Sequence, residues 1–426
     1  MSRCRRRPGR RPGAGTTTSG SAGAEDRARL VLLLGALCCL GPLSIDVYLP
    51  AFPAVAAEFG ASESQVQLSL TAFIIGLSAG QLVVGPLSDA WGRRRPLLVG
   101  LGGYLVVSLV CALAPGAYWL AGLRFLQGVG VAAGFVVTLA IARDRFEGLA
   151  MARFMSLLML VNGLGPVIAP VLGGQLLRVT TWRGTFVVLA GVALVLLVVL
   201  ALRLPETLPP DKRRPAAVAP TLRVFRLLLA DRVFLGYALA SALSLGALFG
   251  YVAGAPFVLQ GVFGLSPQGF SLVFAANSVS IFVAGLLNTL LTGRLLPRVL
   301  LHVGLGVGAA GGAGLLVAGL AGGGLVAFLA PLFAVTTSVG LLTPNAAALA
   351  MSRHPEAAGS ASAVLGVTRF LVAGAMAPLV GAGGSASVVP MAAVMPPATL
   401  LALVAGLVLA RGDAGITRPD PAPVAA

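Results

Sequence analysis

The sequence predicts an all-α polytopic membrane protein with twelve transmembrane helices in two six-helix halves. Three observations carry that prediction. Charge is too scarce to clothe a soluble protein of this size, apolar runs of bilayer-spanning length recur twelve times, and basic residues alternate between the gaps separating those runs. Of 426 residues, 57% are hydrophobic and 10% are charged, whereas soluble domains carry roughly 25% charged residues. So few charges cannot form a water-facing exterior, and the apolar excess must face lipid.

A bilayer core needs roughly 20 apolar helical residues to cross it. Spans 1 to 6 read over 29–50, 65–87, 96–115, 118–142, 153–177 and 184–203, and spans 7 to 12 over 232–257, 269–291, 296–320, 323–350, 358–382 and 387–410. Between the halves 29–203 and 232–410 lies a polar linker, 204–231, with Pro205, Pro209, Pro210, Pro215 and the run Lys212-Arg213-Arg214. Two such halves are the layout of a duplicated transporter. Residues 1–28, rich in Arg, Gly, Ser and Thr, read as a disordered tail, and 411–426 as a second tail. The first apolar run is too long for the core of a cleaved export signal.

The basic residues fix the expected orientation. The two tails, the linker and the gaps after spans 2, 4, 8 and 10 hold 26 of the 30 Lys and Arg, while the opposite gaps hold only Arg178 and Arg183. Cytoplasmic loops carry such an excess, so both termini are expected in the cytoplasm of a multi-pass cell-membrane protein. The net charge of +16 is spread over tails and gaps, which argues against a nucleic-acid partner. The expected partners are the lipid bilayer, a small molecule and protons, with the chain acting as a monomer.

The absences narrow the chemistry. The single lysine, Lys212, is followed by Arg213, so no Walker A loop is present. Cys4, Cys38, Cys39 and Cys111 form neither a disulfide framework nor a metal pattern, and His302 and His354 stand apart. No metal, cofactor or nucleophile–base constellation is legible, and an enzyme is not expected.

Charged residues inside a membrane mark function by default. Three lie well within the spans: Asp46, Arg124 and Arg369. Asp46, near the outer end of span 1, is the only acid inside any span. It reads either as a proton carrier or as a solvated interfacial residue. Arg124, on span 4, reads as the partner of a carboxylate, as a substrate ligand, or as a packing device bonded to carbonyls. Gln127 shares its face one turn away. Arg369, on span 11, has no legible partner and reads either as a structural salt link or as a substrate ligand. Tyr48, Gln127, Tyr251 and Asn345 are candidate cavity groups, with packing roles as the alternative.

Two further segments stand out. The gap after span 2 reads Gly85-Pro86-Leu87-Ser88-Asp89-Ala90-Trp91-Gly92-Arg93-Arg94-Arg95. Gly85 and Gly92 permit tight turns, and Asp89 can pair with Arg93 or Arg94. It reads as a conformational latch or as plain positive-inside anchoring. Span 5 carries Gly165, Pro166, Pro170, Gly173 and Gly174. Prolines four apart and closely spaced glycines suit a hinge or a tight seam, or ordinary membrane tolerance of both residues.

These segments resemble the major facilitator superfamily, and within it the bicyclomycin/chloramphenicol-type multidrug exporters. Gly85–Arg95 is similar to the superfamily's loop motif. Arg124-Phe125-Leu126-Gln127-Gly128 is similar to its helix 4 motif, and Gly165-Pro166…Pro170…Gly173-Gly174 to the antiporter motif of helix 5. Asp46-Val47-Tyr48-Leu49-Pro50, Trp182-Arg183-Gly184-Thr185-Phe186, Pro344-Asn345-Ala346 and Ala358-Gly359-Ser360-Ala361-Ser362-Ala363 look like signatures of the subgroup. Trp91 and the loop around Gly293-Arg294 depart from the usual pattern. The resemblance implies drug export coupled to inward proton flow by alternating access, with Asp46 as the helix 1 acid, Arg124 as the helix 4 arginine and Asp89 as the loop acid. A sugar or metabolite exporter of the same fold is the alternative. A non-transporting sensor is disfavoured by the short central linker.

Overall fold

A computed structural model describes residues 19–146, 148–213, 226–354, 356, 358–384 and 387–411. The arginine-rich stretch 1–18, linker residues 214–225 and the tail 412–426 lie outside the described residues. Twelve spans among the described residues are long and apolar enough to cross a membrane. Their helices are α1 (Ser19–Asp46), α2 (Glu63–Trp91), α3 (Arg94–Cys111), α4 (Ala117–Arg145), α5 (Gly148–Leu176), α6 (Trp182–Arg203), α7 (Arg232–Phe257), α8 (Pro267–Thr292), α9 (Pro297–Leu320), α10 (Leu325–Ser352), α11 (Ala358–Gly381) and α12 (Val389–Val404). No strand occurs among the described residues. Leu202, Leu290 and Val326, exposed by 77%, 72% and 79%, turn outward as lipid-facing residues should.

Local chemistry sets several helix starts. Ser62 and Gln65 form a reciprocal capping box on α2. Asp231 accepts the backbone N–H of Val233 at 2.9 Å at the start of α7, and Ser266 caps α8 through Gly269. Each satisfies an N–H that the helix leaves unpaired.

Span 1 differs from the sequence expectation. It does not stop at Pro50. The chain leaves α1 at Asp46, turns through Leu49–Ala51 and runs on as a short helix, Phe52–Phe59, giving a span of Leu30–Phe59. Pro50 and Pro53 sit in first turns, where their missing N–H breaks no helical bond. Asp46 therefore falls near the middle of the span and not at its mouth. At the other end, α1 begins at Ser19, inside the segment expected as tail.

Helix packing is close where side chains are absent. A Cβ on Gly76 of α2 would run into the backbone carbonyl of Phe125 on α4, and one on Gly128 would run into that of Phe73 on α2. Such mutual approach of backbones is how membrane helices gain van der Waals contact without a hydrophobic drive.

The buried clusters show how the halves meet. One cluster draws on both, from Tyr48, Phe52 and Trp182 to Tyr251, Phe257 and Met391, at the end opposite the basic gaps. Toward the basic end the core divides into one cluster wholly within the first half and another wholly within the second. Polar links join the halves at the closed end as well. Gln67 donates to the carbonyl of Ala253 at 3.1 Å, Thr71 to that of Gly374 at 2.9 Å, and Gln260 to that of Pro50 at 3.2 Å.

Overpacking a tight core costs about 1–3 kcal/mol, occasionally more. Gly128→Leu is therefore expected to lower the melting temperature in detergent by several degrees. Gly102→Leu, whose Cβ meets nothing within 4 Å, is expected to leave it nearly unchanged. Equal melting of the two variants would contradict the α2–α4 packing.

Candidate functional site: a central cavity between the halves

A cavity of about 550 Å³ lies between the halves, walled by α1, α2, α4 and α5 on one side and by α7, α8, α10 and α11 on the other. Its polar side chains are Asp46, Gln81, Tyr251, Ser278, Ser362 and Arg369; most of the remaining wall is aliphatic or aromatic. A mainly apolar wall with a few convergent polar groups is the usual character of a small-molecule site. A second space of about 340 Å³ lies toward the basic end, between α2 and α4 on one side and α11 on the other. Gln81, Phe135, Ser362, Gly366 and Phe370 line both.

Asp46 ends α1 and faces this cavity, with 5% of its surface exposed. Among the described residues no side chain pairs with its carboxylate. Tyr251 lines the same wall, stacked on Phe274 with ring centroids 5.3 Å apart, and its hydroxyl is buried. Both are close enough to the cavity to meet a guest.

Arg124 is fully buried and stands behind the wall. It does not pair with Asp46. One guanidinium nitrogen donates to Gln127 Oε1, and Nη2 donates to the carbonyl of Ser44 at 3.0 Å. Its carbon lies 4.3 Å from the ring centroid of Phe73 and 5.4 Å from that of Tyr48. Gln127 in turn donates to Ser108 Oγ at 2.7 Å, and the Ser44 hydroxyl shares a 2.7 Å bond with Tyr104. The cation is thus housed by carbonyl oxygens and ring faces, an attraction strengthened by desolvation. Tyr48 and Gln127 belong to this housing and do not line the cavity. Asn345 also stands outside it, donating to Asn288 Oδ1 and to the carbonyl of Leu341. All three are 2% exposed or less, because each has been drawn to a buried polar partner or ring on a neighbouring helix.

Residues 32–378 match the Major Facilitator Superfamily. The chain belongs to that superfamily. It is 41% identical to "Uncharacterized MFS-type transporter YdgK" of Bacillus subtilis (strain 168), over 87% of this chain and 92% of that one. It is 31% identical to the "Bicyclomycin resistance protein homolog" of Haemophilus influenzae, over 88% and 94% of the two chains. It is 33% identical to the "Chloramphenicol resistance protein" of Pseudomonas aeruginosa, over 79% and 80%. Among solved structures, a mutant of the nucleoside transporter NupG superposes with a TM-score of 0.75 at 11% identity, covering 90% of this chain and 99% of that one. That likeness concerns the fold. The superfamily consists of transporters, in keeping with a chain whose chemistry-bearing residues surround a cavity.

The superfamily's loop motif is tied down within the first half and the start of the linker. Arg93 donates to Asp89, to Ser88 Oγ at 2.9 Å and to Asp144 Oδ2 at 3.1 Å. Glu206, just after α6, accepts the backbone N–H of Arg93 at 2.8 Å and of Arg94 at 3.2 Å, which are free N–H groups at the start of α3. Arg94 also donates to the carbonyl of Ala201. Gly92 has φ +89°, and a Cβ there would strike the Glu206 carboxylate. Gly85, whose Cβ would sit 4.0 Å from Val136, is under no such constraint.

The glycines of α5 serve two neighbours. Gly173 meets the backbone of Val47 and Gly165 the ring of Pro42, both on the α1 side. Gly174 meets Ser271 and Gly163 meets Phe282, both on α8 in the other half. Gln268 of α8 donates to the Gly174 carbonyl at 2.7 Å. Pro166 and Pro170 lie within an unbroken helix, with Pro166 on the cavity wall and Pro170 buried.

Several site residues were not singled out from sequence. Phe73, Ser44 and Ser108 sit among apolar residues with no distinguishing pattern. Asp144 and Glu206 are acids in basic gaps, where solvation is the default expectation. Glu58 accepts from Trp182 Nε1 and from Arg183 Nη2 at 2.7 Å, fastening the short helix Phe52–Phe59 to α6.

Burial alone raises the Glu206 carboxyl. The N–H groups of Leu208, Arg93, Arg94 and Thr207 outweigh it and hold the group below the ordinary value of 4.5. A carboxyl depressed on folding stabilises fully above its unfolded pKa and loses that effect as pH falls through its folded one. Glu206→Gln is expected to melt below wild type at neutral pH, with the gap narrowing as pH drops below 4.5. A pH-independent gap between the two melting curves would show that the carboxylate charge is not what caps α3.

Proposed function

We propose that the protein exports small amphiphilic compounds, such as chloramphenicol- or bicyclomycin-like antibiotics, across the cell membrane in exchange for protons. The observation that carries this is the placement of Asp46. An acid near the middle of span 1 stands on the wall of a cavity that both halves build. The names of two relatives support the cargo class, being a bicyclomycin resistance protein homolog and a chloramphenicol resistance protein.

The mechanism is alternating access. The basic gaps and both termini are assigned to the cytoplasm by their positive charge. The shared aromatic cluster then seals the outer end, and the space beside α11 faces inward, so the conformation is inward-facing. The α5–α8 seam serves as the pivot, since its glycines let two helices roll at close range. The Arg93–Asp89–Asp144 group is the latch, set to engage α11 when the inner space closes. Asp46 takes up a proton when open to the outside and gives it up to the cytoplasm as cargo enters. Arg124 acts on this cycle indirectly, by holding the Ser44 carbonyl two residues from Asp46. Each half contributes to one cavity, which a monomer completes. A sugar exporter of this fold would need more amide and hydroxyl groups than the wall carries, so apolar cargo is favoured.

Asp46→Asn is expected to abolish uphill export driven by a pH gradient, by at least about tenfold given the cost of an ion in hydrocarbon. Expression and melting temperature should be preserved. Tracer accumulation in everted vesicles, with and without a protonophore, makes the measurement. Undiminished uphill transport by that variant would remove Asp46 from the coupling.

A further inference from the structure

Arg369 is the second ionised group on the cavity wall, and neither the fold nor the proton exchange proposed above accounts for it. It lies on α11 in register with Gly366 and Ser362, which line the cavity one and two turns away. Its Nε donates to Ser241 Oγ on α7, and its Nη2 donates to the carbonyl of Thr343 on α10 at 3.1 Å. Those two bonds clamp the guanidinium from either side. Of its five N–H donors, the Nη1 pair has no protein acceptor among the described residues.

No carboxylate of its own half balances the charge. Between residues 232 and 410 the sequence contains one acid, Glu356, which lies exposed in the gap after span 10. The other charged residue on the wall is Asp46, on α1. Arginine does not deprotonate under ordinary conditions, so the cavity carries a fixed positive charge that Asp46 offsets only while ionised. The surrounding wall is mainly apolar and screens this charge poorly.

Resting on the export function above, we propose that Arg369 selects the cargo: its free Nη1 face binds a carbonyl, nitro or carboxylate oxygen, and its charge excludes permanent cations. An acceptor oxygen gains a charge-assisted hydrogen bond from a donor already held in place. A quaternary or phosphonium cation of the same bulk gains no such bond and meets like charge. Tyr251 and Phe274 supply the stacked aromatic wall for the apolar part of either guest.

The test compares wild type, Arg369→Gln and Arg369→Lys, purified in lipid nanodiscs, for equilibrium binding of two probes. Chloramphenicol carries nitro and amide oxygens. Tetraphenylphosphonium is a permanent cation without an acceptor. Wild type is expected to bind chloramphenicol at least about tenfold more tightly, the scale of one hydrogen bond to a charged group. Arg369→Gln should lose about that preference, weakening toward chloramphenicol and gaining tetraphenylphosphonium. Arg369→Lys, which keeps the charge but not the fork, should still exclude the cation while binding chloramphenicol less tightly. Equal wild-type affinity for the two probes would leave drug export standing and overturn the role of Arg369. So would parallel loss of both probes in a stably folded Arg369→Gln. If wild type binds neither probe, the export function itself falls, and this inference with it.

Discussion

Hydrocarbon offers no water to an ionised side chain, and the layout of the site follows from how three such side chains are housed. Arg124 is enclosed by carbonyl oxygens, an amide and aromatic faces, and so its charge is met without a carboxylate. Asp46 and Arg369 are given the opposite treatment. Each sits on the wall of a space large enough for solvent or a guest, on opposite halves of the molecule. The first arrangement fixes structure; the second leaves charge available to respond. Membrane proteins tolerate ionisable groups mainly in such cavities and interior contacts.

The same economy of polar groups explains why the halves are joined at one end and separate at the other in this conformation. At the closed end, aromatic residues of both halves form a single cluster, reinforced by side chains that donate to backbone carbonyls across the divide. At the basic end each half completes its own core, so separation there exposes little that the other half had covered. Between the two ends, α5 and α8 meet at glycines of α5, with Ser271 against Gly174 and the Phe282 ring against Gly163. The polar ties of the loop motif stay within the first half and the first residues of the linker.

The twelve spans were legible because length and hydropathy alone specify a membrane helix. The end of span 1 was not, since Pro50 and Pro53 carry the same signal whether a helix stops or restarts with proline in its first turn. That error displaced Asp46 from mid-span to the mouth. Asp46 and Arg124 were identifiable by charge, yet their relation was not, because each side chain's direction depends on packing between helices far apart in the sequence. Tyr48 and Gln127 were read toward the cavity for that reason, though both turn to Arg124. Glu206 escaped notice more completely. Two of its partners are backbone N–H groups more than a hundred residues away, and no side-chain pattern marks a free helix start as needing an acid.

Placing one acid and one arginine on facing walls has a consequence for coupling that neither residue has alone. In the proposed cycle the cavity is neutral overall when Asp46 is ionised and positive when it is protonated. A guest held by Arg369 meets a wall whose net charge and polarity depend on the protonation of Asp46, and both its acceptor oxygen and its apolar part respond to that change. Proton and guest then influence one another through a shared charge balance without touching, and linkage requires the effect to be reciprocal. The cavity needs no direct displacement of one ligand by the other, only that both bias the same pair of conformations.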